Sequence, residues 1–407
     1  MLVLLSVLLL SPNNTKIISN PNTEGTHSVT FTEDLRFGGD LDAGDEYLWM
    51  DRGRPSTFEI GQNGHFYIID ASNSRLLEFD KDGKFVKVFA QRGEGPGEFQ
   101  GLTNFQILAD GTAIGMDALQ GSRKATYYDK DLKVLESKTV GSLASIPTSP
   151  YFSPDGSLFF SIIFSVKLNE NAPPDTKFMS AIMNAKFEPV RELCGEPWPN
   201  FDQTKVGDKS YWSDFIGKQF DIIINKTTWY ATFLSTGEVL VFDSKKYEIE
   251  VWNSDLSKQL MVIKKTHEPV FYDEEEKAAL AESLEKTIYD QGLQNFVDDK
   301  VLSDSIEKAN LPVKQNPIAG IVPMEDGHFF VVNRIKLPEG RISGDFFNRE
   351  GKFLGKIIVP GDGLFELNTP MNASMRLVFK NGFAYTMTRN EDGDNQMVRY
   401  RYEIEKK

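Results

Sequence analysis

Six glycines (Gly64, Gly111, Gly156, Gly237, Gly327 and Gly382) each end a short polar turn between two β-rich runs, in one order along the chain. Glycine at the end of a tight hairpin turn supplies positive φ without steric cost, so each marks the link between a first and a second strand. A second register runs in phase with it. An aromatic residue or Met followed by Asp or Asn recurs at Phe79-Asp80, Tyr128-Asp129, Met183-Asn184, Trp252-Asn253 and Phe347-Asn348. A bulky residue closing a third strand before an Asx turn fits sheet-on-sheet packing. Asp-Gly turns are common in β proteins, but six in phase with a second marker are not coincidence.

The best-preserved copy is Ser56–Phe89, which reads as four strands: one before Gln62-Asn63-Gly64, then His65–Asp70, Arg75–Asp80 and Lys84–Phe89. Weaker copies follow at Thr103–Val140, about Ser149–Leu193, Thr228–Lys265 and about Ala319–Val359. The sixth begins at Ser374 and runs out before a fourth strand. The orphan strand His27–Phe37 supplies the missing piece. Radial β repeats close by pairing their termini, which removes an exposed sheet edge. The sequence therefore predicts an all-β, six-bladed β-propeller of four-stranded blades, closed by the N-terminal strand and forming one domain over 27–407.

The run Gly64–Asp70, Ser72-Asn73-Ser74-Arg75, Phe79-Asp80-Lys81-Asp82-Gly83-Lys84 and Arg92-Gly93-Glu94-Gly95-Pro96-Gly97-Glu98-Phe99 resembles an NHL repeat. It is similar to the six-bladed propellers of that superfamily found in bacterial exported proteins. The resemblance covers residues 56–105 and implies a fold. Members of the superfamily include binding scaffolds, lactonases and lyases, so function does not follow from it.

The 45 basic and 59 acidic residues give a net charge of −14, which argues against nucleic acid and anionic membrane as partners. The one cysteine, Cys194, excludes an intrachain disulfide and a cysteine-cluster metal site. Leu2–Leu10 (LVLLSVLLL) has the length of a signal-peptide apolar region and is too short to span a bilayer. No Lys or Arg precedes it. The polar run Ser11–Thr26 fits a linker better than a continuation of a buried strand. The expectation is an exported protein with a signal-like segment and linker over 1–26 and no transmembrane helix.

Two insertions break the spacing, at about 194–227 and 268–317, both between a fourth strand and the next first strand. The first carries Trp198, Phe201, Tyr211, Trp212, Phe215 and Phe220. The second opens with Asp273-Glu274-Glu275-Glu276-Lys277 and continues with Leu280, Leu284 and Ile288, which predicts a helix between blades four and five. A further helix is expected over Gln294–Ala309, using Phe296, Val297, Val301 and Ile306. Connections between blades lie on the same face as the loops between second and third strands, so both insertions should cap that face. They pack there as decoration or wall a ligand site.

Residues at the ends of second strands, Asp70, Asp117, Asp243, Asn333 and Arg389, should ring the capped face. Arg52, Arg54 and Arg92 precede first strands and could hold a carboxylate or phosphate in bidentate geometry. Trp212 would add apolar contact. The competing role for each Asp is to cap a turn and for each Arg to pair with it. The histidines His27, His65, His267 and His328 are far apart, and Asn390-Glu391-Asp392-Gly393-Asp394 lacks the spacing of a calcium hand. Calcium therefore enters only through the lactonase branches, and no metal ligand is assigned. No nucleophile elbow, P-loop or dinucleotide fingerprint is present. The expected function is an exported binding protein or interaction scaffold, holding a protein, peptide or small polar ligand at the capped face near the channel. The alternative is a metal-dependent hydrolase or lyase with its site at the channel mouth.

Overall fold

The computed structural model describes residues 15–49, 57–70, 73–117, 124–140, 145–147, 150–167, 175–226, 228–290, 297–333, 342–359 and 377–407. Strands β1 (Lys16–Asn20) and β2 (His27–Phe37) precede the repeats. Blade one is β3 (Thr57–Ile60), β4 (Phe66–Asp70), β5 (Arg75–Phe79) and β6 (Phe85–Ala90). Blade two is β7 (Leu102–Ile107), β8 (Ala113–Asp117), β9 (Lys124–Tyr128) and β10 (Val134–Thr139). Blade three has its first strand in two pieces, β11 (Ser145–Pro147) and β12 (Tyr151–Phe152), before β13 (Leu158–Lys167), β14 (Asp175–Asn184) and β15 (Pro189–Pro197). Blade four is β16 (Trp229–Phe233), β17 (Val239–Asp243), β18 (Glu248–Trp252) and β19 (Gln259–Lys265). Blade five is β20 (Gly320–Pro323), β21 (Phe329–Val332), β22 (Ile342–Phe347) and β23 (Phe353–Val359). Blade six is β24 (Leu377–Lys380), β25 (Phe383–Arg389) and β26 (Asn395–Lys406), completed by β2.

The six-bladed ring and its closure are those the repeat pattern predicts. β2 runs antiparallel to β26, from His27 opposite Lys406 to Phe37 opposite Met397. The turns follow the predicted chemistry too. Gly64 has φ 79° and Gly111 φ 90°. At the third turn of blade one, the Asp80 carboxylate accepts from the backbone N–H of Asp82 (2.9 Å) and Lys84 (3.0 Å). Asp129, Asn184, Asn253 and Asn348 hold the same turn in the next four blades. Second strands lie between the neighbouring blades, so β4, β8 and β17 are buried along their whole length. That explains why FYIID and VLVFD read as continuous apolar runs.

Three elements differ from expectation. β1 pairs in parallel with β19, Lys16 opposite Met261 through Asn20 opposite Lys265, and so adds a fifth strand to blade four. The first insertion holds a helix, α1 (Lys209–Asp221), capped by Asp208 and buried through Trp212, Ile216 and Phe220. In the second, α2 (Glu274–Asp290) forms as predicted, with Leu280 and Leu284 buried, but the next helix, α3, covers only Asp299–Lys308. The Asp298 carboxylate caps it by accepting from Val301 N–H at 2.9 Å, which fixes its start there. Phe296 lies outside the described residues.

Candidate functional site

The first strands, β3, β7, β12, β16, β20 and β24, form the inner ring, and their free edges face the central channel. An unpaired inner edge must find partners for its backbone groups. Here side chains reach across from the neighbouring blade. The Gln106 amide donates to Phe152 O and accepts from Phe152 N–H, both at 2.8 Å, joining blade two to blade three as another strand would. The Gln62 amide donates to Ala109 O (2.9 Å), and the Ser235 hydroxyl lies against Met324 O (3.0 Å) and Glu325 O (2.9 Å). The Lys380 ammonium donates to Ile60 O at 2.5 Å and links blade six to blade one.

These clasps surround a cavity of about 370 Å³ lined by the inner strands of all six blades. Its wall includes Gln62, Ala109, Pro154, Ser235, Glu325 and Asn381 from the six turns between first and second strands. The cavity therefore occupies the end of the channel opposite the insertions. Glu59 from blade one and Lys380 from blade six lie 3.8 Å apart on one side of it. Across the ring, Tyr151 of blade three stacks on Phe233 of blade four, ring centroids 6.2 Å apart. Burial pushes the Glu59 carboxyl above its ordinary value, against the opposing pull of Lys380 and of backbone N–H groups. Burial, with Glu59 nearby, also raises the Tyr151 phenol.

The predicted site residues occupy the other end, and none of those described lines this cavity. Asp70, fully buried at the end of β4, pairs with Arg75 at 2.7 Å, and Arg75 in turn bonds Asp45. Asp117 accepts from the backbone N–H of Gln100 (2.7 Å) and Gly101 (3.1 Å), and so fixes the start of its own blade. Asn333 donates to Asp345 at 3.4 Å; Asp345 also accepts from Tyr247 (2.5 Å) and pairs with Lys265 (3.3 Å) between blades four and five. Arg92 and Arg389 are exposed. Trp212 is buried inside the helical insertion and is not an exposed contact residue. Arg52 and Arg54 lie outside the described residues. The structure thus separates the set into individual turn, strand-end and core positions.

The two insertions pack together as one small helical unit at the capped end. Trp212, Ile216 and Phe220 of α1 meet Leu284 of α2 and Val301 and Leu302 of α3. Gly217 permits the close crossing: a Cβ there would stand 2.7 Å from the Lys308 Cβ. Lys308 closes the contact on Ser213 (2.7 Å) and Asp214 (2.6 Å). Among the described residues, no three His, Cys, Asp or Glu side chains are grouped to hold a metal ion.

Sequence reasoning missed Glu59, Gln106 and Tyr151. A signal was available: each stands five residues before its turn glycine, Gly64, Gly111 and Gly156. A position fixed to the turn is fixed to the channel, and a charged residue between the apolar Phe58 and Ile60 of an inner strand was the mark of it.

The family model described as a 6-bladed beta-propeller (DUF5128) matches residues 53–193. In structure the chain is similar to a member of the duf4221 family from Bacteroides vulgatus, with TM-score 0.51, 12% identity, and 95% of this chain and 100% of that one covered. It also aligns with a candidate exported protein from Bacteroides fragilis (TM-score 0.47, 13% identity, 96% and 100% covered). Virginiamycin B lyase from Staphylococcus aureus aligns at TM-score 0.37 and 10% identity, over 92% and 99% of the two chains. No curated protein matches the sequence. At these identities the likeness is one of fold. Matched family and structure agree on a six-bladed β-propeller.

Proposed function

We propose that this chain is a binding protein that takes a small molecule with an apolar body into the uncapped end of its central channel. The observation that carries this reading is the cavity of about 370 Å³ to which all six blades contribute. Its size falls at the lower end of the range of small-molecule sites, and it has their usual composition: aromatic and aliphatic walls with a few convergent polar groups. The NHL-like motif in residues 64–99 supports the propeller scaffold on which this site is built, and the site alone carries the function. The apolar segment Leu2–Leu10 supports export. No described helix is long and apolar enough to cross a membrane.

Val378 lines the cavity from β24 and makes none of the interblade clasps, so Val378→Trp should fill the space and leave the ring intact. A panel of small metabolites screened by thermal shift should yield compounds that stabilise the native protein and not this variant. Stabilisation of both proteins alike would place the ligand elsewhere.

A further inference from the structure

Three charged groups line the cavity, Glu59, Glu325 and Lys380, and the two that stand together, Glu59 and Lys380, specify what sort of molecule the channel takes. We infer that the ligand is a zwitterion carrying an ammonium and a carboxylate on adjacent atoms, with an apolar side chain, as in a free aromatic or aliphatic α-amino acid. This rests on the channel reading above and extends it.

The Glu59 carboxylate and the Lys380 ammonium face each other across an open separation. At 3.8 Å it is wider than a hydrogen-bonded ion pair, which closes to about 2.7–2.9 Å. Neither group is exhausted by its neighbours. Lys380 spends one of its three N–H donors on Ile60 O. The Glu59 carboxylate accepts from the backbone N–H of Ile60 at 3.1 Å and of Ile107, which leaves part of its acceptor capacity open. The two side chains are 17% and 19% exposed, so they are partly desolvated yet reachable.

Opposite charges this close discriminate by repulsion as well as attraction. A lone anion drawn to Lys380 meets Glu59, and a lone cation drawn to Glu59 meets Lys380. A molecule presenting both charges satisfies both, its ammonium on Glu59 and its carboxylate on Lys380. The distance between those two groups in an α-amino acid suits partners set 3.8 Å apart. Its side chain then points across the channel to Tyr151 and Phe233, where stacked rings offer an apolar face. Burial of Glu59 adds a consequence: an ammonium beside it favours its charged form, so binding releases protons near the pH at which the empty site holds one.

Isothermal titration of the full chain tests this with L-phenylalanine, phenethylamine, 3-phenylpropanoic acid and 2-phenylethanol. L-phenylalanine should bind at least tenfold more tightly than the amine or the acid, which each lack one charge. Glu59→Gln should shrink the gap between L-phenylalanine and the acid, and circular dichroism of that variant checks that it is folded. If 2-phenylethanol binds as well as L-phenylalanine and Val378→Trp abolishes both, the channel reading stands and the zwitterion inference fails. If none of the four binds, the zwitterion inference fails; if metabolite hits also stabilise Val378→Trp unchanged, the channel reading falls with it.

Discussion

At the residue scale, the most transferable feature is the Asx turn before the fourth strand of blades one to five. Asp80 accepts two backbone N–H bonds, and the bond from Lys84 is the main reason its carboxyl sits below the ordinary value of 3.8. Its contribution to stability is present above that value and lost as pH falls through the lowered folded one. Asp80→Ala should cost about 1 kcal/mol in urea unfolding at neutral pH, as loss of a side-chain cap does elsewhere. No change at pH 7 would remove the turn from the list of stabilising features. Glu59 runs the other way. Its folded value lies above the ordinary 4.5, so its contribution is present below 4.5 and lost as pH rises through the raised value. Glu59→Gln should therefore gain on the natural protein as pH climbs through that window, measured by unfolding at several pH values. A pH-independent difference would mean that the carboxyl is not desolvated in solution.

At the element scale, legibility tracked how local each interaction is. Strands joined by a turn of a few residues were readable because Gly64 or Asp80 sits inside the turn it dictates. β1 was not, because a parallel partner some 240 residues away leaves no local mark, and its short polar sequence KIISN resembles a linker. α1 could have been found from Asp208 and the spacing of Trp212, Ile216 and Phe220, but those residues read as loose loop aromatics. The candidate site was less legible than the fold. Asp70 and Asp117 announce themselves as strand-end carboxylates, yet each is consumed by its own blade. The channel residues are set by which way a short inner strand faces, and that depends on the closed ring. For the helical unit, Gly217→Ala tests whether packing or propensity governs. Alanine is the better helix former by about 1 kcal/mol. The 2.7 Å approach to Lys308 Cβ should nevertheless make the variant less stable by about 1–2 kcal/mol, the range of overpacked sites. Hydrogen exchange should quicken in α1 and α3 while the blades keep their protection. A stabilised variant would show that the helices separate freely.

At the scale of the whole molecule, the ring is held shut by the pairing of β2 with β26, and an ion cluster at Asp34 ties the two strands in that register. Asp34 lies at a β-bulge between Glu33 and Leu35, where its carboxylate accepts from Arg399 Nε (2.6 Å) and Arg401 Nε (2.8 Å). Burial alone would raise its carboxyl, but the two guanidinium groups outweigh burial and hold it below 3.8. A slip of β2 along β26 would strand this carboxylate, 12% exposed, without its partners. The clasp thus acts on closure as a whole, because every blade depends on its neighbours and blade six on both chain ends. Asp34→Asn keeps the shape and removes the charge. It should cost about 2 kcal/mol at neutral pH, the scale of hydrogen bonds to charged groups. The cost should be fully present above pH 3.8 and fade as pH falls through the lowered folded value, since the natural carboxyl then becomes neutral too. Amide exchange should rise first in β2 and β26, before the inner strands, because opening begins at the seam and the clasps around Gln106 and Lys380 remain. Equal destabilisation at pH 3 and pH 7, or exchange rising uniformly through all six blades, would mean that closure depends on the strand pairing alone and not on this ion cluster.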